Sequence, residues 1–155
     1  MSSHNQYLHD VFISYSHKSQ PGLSKAIERG LKRLLKSPLG RSALNVFRDE
    51  SYLNAGHNGI EQILSNLSKS HWFLFLASPS SAESPWCKRE LRWWLGDEYG
   101  AFNYTDDQLN EPIIFHSDKV NEDRLRRLLI ARADGELIRN STGTDWQWSH
   151  VGKEG

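Results

Sequence analysis

Cysteine is almost absent: Cys87 stands alone among 155 residues. One thiol excludes a disulfide framework and a cysteine-rich zinc site, and it suits an intracellular setting. Excess charge of either sign is also missing. Lysine plus arginine number 19 and aspartate plus glutamate number 19, so nothing marks a general polyanion binder. Lys32-Arg33 and the cluster from Arg124 to Arg127 read as solvated helix faces rather than as a nucleic-acid patch. The longest apolar run, Trp72 to Ala77, is far too short to cross a bilayer, and the polar stretch Met1 to His9 lacks a signal-peptide pattern. The expectation is a cytoplasmic protein without nucleic-acid or membrane partners. The seven histidines are scattered, with no His-x-x-x-His and no His-Glu-x-x-His, so no metal site is expected. Gly-x-Gly-x-x-Gly, the Walker A loop and the Gly-x-Ser-x-Gly elbow are all missing, which argues against a Rossmann site, a P-loop and an α/β-hydrolase.

Tryptophan, by contrast, is plentiful, with six residues, and Trp72, Trp86, Trp93 and Trp94 lie in or near one unit. That unit is Ser84-Pro85-Trp86-Cys87-Lys88-Arg89-Glu90-Leu91-Arg92-Trp93-Trp94-Leu95. Ser84 suits an N-cap and Pro85 the first helical position, where a missing N–H costs nothing. On the predicted helix Trp86, Glu90 and Trp93 follow i, i+4, i+7 and share a face. Cys87, Leu91, Trp94 and Leu95 form a second stripe that can face a core. Glu90 is thus expected between two indoles on the less apolar side. Apolar walls sharpen the interaction of a carboxylate with a developing positive charge. The plainer alternative is a surface acid on an amphipathic helix.

The length suits a single domain, 1–155. Asp10-Val11-Phe12-Ile13-Ser14-Tyr15-Ser16 reads as a strand buried on both faces. A helix follows from about Pro21 to Lys36, with Leu23, Ile27, Leu31, Leu34 and Leu35 as its core stripe. Leu44-Asn45-Val46-Phe47 is a second strand and Arg48 to His57 a polar loop. Ile60, Ile63, Leu64 and Leu67 repeat at helical spacing, and His71 to Ala77 is a third, central strand. Alternating strands and helices predict a doubly wound α/β sheet whose ligand sits beyond the carboxyl ends of the strands. Beyond Gly96 two segments compete as fourth strand, Pro112 to His116 and Leu128 to Arg132. The second is preferred, with the span from Tyr99 to Arg124 as an insertion, although Asn121 to Arg132 also fits a helix. Asp134-Gly135 is a hairpin signal leading to Glu136 to Arg139. Asn140 to Gly155 shows no clear strand, so a fifth strand is either absent or part of a longer parent chain.

Four of these segments, in this order, resemble the Toll/interleukin-1 receptor (TIR) domain family. Asp10 to Ser16 resembles its first box. Val46-Phe47-Arg48-Asp49-Glu50 with its Gly-containing loop resembles its second strand and BB loop. Trp72 to Pro79 looks like its third strand. Ser84 to Glu90 resembles the Trp-Cys-x-x-Glu stretch that carries the catalytic acid in bacterial TIR enzymes. The likeness covers about residues 9–96. It implies a flavodoxin-like, doubly wound sheet of four to five parallel strands flanked by helices. For one branch it implies an NAD+ glycohydrolase or cyclase that releases nicotinamide with ADP-ribose or cyclic ADP-ribose, in bacterial anti-phage defence or signalling. NAD+ is then the substrate and no further cofactor is needed. Glu90 would be the catalytic residue and Trp86 would wall the ribose–nicotinamide region. Ser14, Tyr15 and Ser16 would lie near the nicotinamide riboside or its phosphates, Arg48 would pair with phosphate or form a plain salt bridge, and Asp49 would orient the loop. Another branch is a non-catalytic adaptor that self-associates through surfaces including Arg48 to His57, and a sensor domain in a longer parent chain is a further expected partner. Cys87 is expected to be a packed thiol.

Overall fold

The computed structural model describes residues 6–16, 21–34, 44–48, 57–98, 101–109, 120–133, 136–139 and 146–149. The first strand, β1 (His9–Ser14), is flanked by β2 (Val46–Arg48) and β3 (Ser70–Ala77), and β4 (Leu128–Arg132) lies beyond β3. All three pairings are parallel, with Phe12 opposite both Phe47 and Phe73, and Phe75 opposite Ile130. The order β2-β1-β3-β4 places β1 and β3 at the centre. Their near-continuous apolar sequences follow from that position, since a central parallel strand is covered on both faces.

Helices cover the two faces. Alternation along β1 sends Phe12 to one side, where it joins Phe73 and Phe75 of β3, Ile63 and Leu67 of α2 (His57–Ser68), and Cys87, Trp93 and Trp94 of a later helix. Val11, Ile13 and Tyr15 go to the other side with Leu76, where Ile27 of α1 (Pro21–Leu34) packs. On the first side an aromatic row crosses the sheet. Phe47 lies 5.2 Å from Phe12, Phe12 5.7 Å from Phe73, and Phe73 5.2 Å from Trp94, all as ring centroids. Burying each such ring contributes about 1.5–3 kcal/mol. The row pins the later helix to the strands.

After β3 comes α3 (Pro79–Glu83), a five-residue turn closed by a capping box in which the Ser78 hydroxyl accepts from the Ser81 amide and the Ser81 hydroxyl from the Ser78 amide. Then α4 (Pro85–Leu95) begins at Ser84, whose hydroxyl accepts from the Cys87 amide at 3.4 Å. It stops at Gly96, whose φ of 127° is a backbone state that side chains strain to reach. Two short helices follow, α5 (Asp106–Leu109) and α6 (Glu122–Arg126).

Leu128 to Arg132 is indeed the fourth parallel strand, and the short α6 immediately precedes it. The rival Pro112 to His116 lies outside the described residues. Within the span read as an insertion, Ala101 and Leu109 are buried and Phe102 packs on the main core. Sequence reading missed one strand. Trp146–Ser149 forms β6 and pairs antiparallel with β5 (Glu136–Arg139) in a separate two-stranded sheet. Four residues bounded by turn formers carry too little periodicity to announce a strand, and only the partner defines it.

Candidate active site

Ser14 ends β1, a central strand paired on both sides, and two-residue alternation puts it on the face of Phe12, beneath α4. Ser84 and Pro85 start α4 so that Cys87 and Glu90, three residues apart on neighbouring turns, look down on that strand end. The Ser14 hydroxyl donates to Glu90 Oε2 at 2.5 Å. Both groups are closed to solvent, Glu90 at 0% and Ser14 at 1% exposure. The Cys87 thiol lies within hydrogen-bonding reach of the Ser84 and Ser14 hydroxyls. Burial pushes this thiol above its ordinary pKa of 9.0, against the smaller opposing pull of those two hydroxyls. A carboxylate, a hydroxyl and a neutral thiol therefore share one buried spot at the carboxyl end of a central strand.

This placement corrects the expected helix face. Glu90 was read on the less apolar side between Trp86 and Trp93, yet it is as buried as Cys87. The cause is that Glu90 is turned toward the sheet, where Ser14 meets it, while the segment from Ala101 to Leu109 covers another side of α4. The two indoles go to separate partners. Trp86 tilts against Phe102 at 6.2 Å and has the Arg89 guanidinium over its ring at 5.5 Å. Trp93 carries the Arg124 guanidinium at 4.0 Å, and Arg124 also donates to the Trp93 carbonyl. Arg89 clamps the strap by donating to the Tyr104 carbonyl at 2.9 Å and to Asp106 at 2.8 Å. Arg92 is buried beside Tyr104.

The remaining candidates separate. Tyr15 is buried on the opposite face with Val11, Ile13 and Leu76, away from the Ser14–Glu90 pair, and Ser16 is buried just after the strand. Arg48 pairs through Nε with Glu28 of α1, which Lys32 also contacts at 2.6 Å. Burial pushes the Glu28 carboxyl up, but hydrogen bonds and charge from Lys32 and Arg48 outweigh it and hold the pKa below the ordinary 4.5. The salt-bridge alternative for Arg48 is thus the arrangement present. Asp49 and the loop to Gly56 lie outside the described residues. Among the described residues no group of three His, Cys, Asp or Glu side chains is placed to hold a metal ion, and no helix is long and apolar enough to cross a membrane.

A family profile described as TIR domain matches residues 11–103, from β1 past the end of α4. The chain belongs to the TIR domain family. Its four-stranded parallel sheet flanked by helices agrees with that membership. The chain is also similar to the NAD(+) hydrolase ApTIR of Actinoplanes sp. (strain ATCC 31044 / CBS 674.73 / SE50/110), with 42% identity over 87 residues. That match covers 56% of this chain and 12% of the relative, so the chain spans a small part of the relative's length. No solved structure matches the chain significantly. In this TIR domain the Trp-Cys-x-x-Glu stretch is the first two turns of α4, and its acid is the group that meets Ser14.

Proposed function

We propose that this TIR domain cleaves NAD+ at the nicotinamide–ribose bond, with Glu90 as the catalytic residue. The observation that carries the reading is a carboxylate set by Ser14 at the carboxyl end of β1, where doubly wound sheets bind ligands. The similarity to an NAD(+) hydrolase supports the same substrate. The C–N bond breaks through an oxocarbenium-like state. Its electron pair goes to nicotinamide, which leaves neutral because it was a pyridinium, so no general acid is needed. One carboxylate then suffices. It accepts hydrogen bonds from the ribose hydroxyls and stabilises the growing positive charge on the sugar. Water or the adenine of the same nucleotide then captures the sugar, giving ADP-ribose or its cyclic form. Trp86 walls the nicotinamide side, Ser16 is retained as a contact to the rest of the substrate, and Asp49 orients its loop.

Glu90 is closed to solvent, so catalysis requires the packing around the Ser14–Glu90 pair to open. Association with a second copy, through surfaces that include the loop from Arg48 to His57, would provide the energy for that opening. The test is product analysis by chromatography after incubation with NAD+ at high protein concentration, wild type beside Glu90→Ala. Nicotinamide from wild type only is the expected result; nicotinamide from both removes Glu90 from the reaction.

The same burial favours a second reading, in which Glu90 is a structural acid and the domain is a non-catalytic interaction module. It predicts self-association that mutation of the loop abolishes, with NAD+ intact at every concentration.

A further inference from the structure

We propose that Ser14 is a positioning residue for Glu90 rather than a contact to substrate. The inference rests on the NAD+-cleaving reading and deepens it. A serine has one O–H to give, and Ser14 gives it to Glu90 Oε2 at 2.5 Å. With that proton committed to Glu90, the hydroxyl has none left to donate to a ligand. Its oxygen still has lone pairs, and the buried Cys87 thiol is within reach of it. The Ser14 hydroxyl holds Glu90 Oε2 from one direction. Its anchor is rigid, because Ser14 is paired with β3 opposite Phe75.

The consequence is geometric. A hydroxyl donated to a carboxyl group selects one orientation of its two oxygens. An oriented carboxyl group is what a sugar turning cationic needs, and pre-set orientation spares reorganisation at the moment of reaction. Loss of the Ser14 hydroxyl therefore affects the transition state more than substrate binding, so kcat falls while KM holds. Loss of a substrate contact would instead raise KM.

The experiment compares kcat and KM for NAD+ in wild type, Ser14→Ala, Ser14→Thr and Glu90→Gln, with thermal melts of each. Ser14→Ala is expected to lose roughly tenfold to a hundredfold in kcat, the scale of one hydrogen bond to a charged group, with KM little changed. Ser14→Thr keeps the hydroxyl on a strand that accepts a β-branched residue and recovers most of kcat. Should Ser14→Ala lose its cooperative melt, Ser14→Cys under reducing conditions replaces it, with an intermediate kcat expected. Wild-type kcat in Ser14→Ala or in that substitute, a raised KM at unchanged kcat, or equal impairment of the Ala and Thr variants overturns the assignment. If wild type works and Glu90→Gln is dead while Ser14→Ala matches wild type, only the Ser14 inference falls. If wild type releases no nicotinamide under any condition, both fall together.

Discussion

Burial decides what the ionisable side chains of this domain do. Cys87 is fully enclosed and its thiol is held neutral, so it is a poor nucleophile despite its place beside the acid. Folded protein at pH 8 should label with iodoacetamide far more slowly than denatured protein; equal labelling would show an open, ionised thiol. Glu28 behaves in the opposite sense. Its pKa is lowered by Lys32 and Arg48, so its ion pairs stabilise the fold above the ordinary carboxylate value of 4.5, and that contribution fades as the pH falls through the lowered value. The melting-temperature gap between wild type and Glu28→Gln should be widest near neutrality and shrink below pH 4.5. A gap that grows on acidification would contradict the assignment. Glu90 was legible as a residue of interest from the indoles and cysteine around it. Its partner was not, because Ser14 is 76 residues away and no local pattern links them. The Arg48–Glu28 pair, 20 residues apart, was hidden for the same reason.

Helix α4 shows how far local rules reach. Ser84 and Pro85 mark its start in the sequence as they do in the structure. Its buried face was misjudged because an amphipathic stripe does not show that Glu90 turns toward the sheet, where Ser14 meets it, while the strap from Ala101 to Leu109 covers another side. Arg89 ties that strap to α4 through the Tyr104 carbonyl, Asp106 and the Trp86 ring. Arg89→Ala should lower stability by about 1–3 kcal/mol, chiefly from the contacts of its charged group with a part-buried carbonyl and an indole. Amide exchange in 101–109 should accelerate more than in β1. Uniform acceleration across the sheet would mean that Arg89 supports the whole fold rather than the strap.

At the scale of the whole molecule, the parallel sheet was readable because β1 and β3 are apolar on both faces, a pattern only a covered central strand needs. The edge was harder. Leu129 and Ile130 of β4 are 47% and 64% exposed, so that strand advertises burial it does not have here. The β5–β6 hairpin rests on a pairing that neither strand displays alone. Under the proposed opening by association, activity is a property of more than one copy. Nicotinamide release should rise more steeply than linearly with protein concentration across the range where sizing shows both monomer and oligomer. A strictly linear rise would separate catalysis from assembly.

The most direct measurement is the rate of nicotinamide release from NAD+ by wild type and by Glu90→Gln, at concentrations where both give the same circular dichroism spectrum. Cleavage through Glu90 predicts a measurable rate for wild type and none for the variant. Equal rates in the two proteins, or no release by wild type at any concentration, would contradict it.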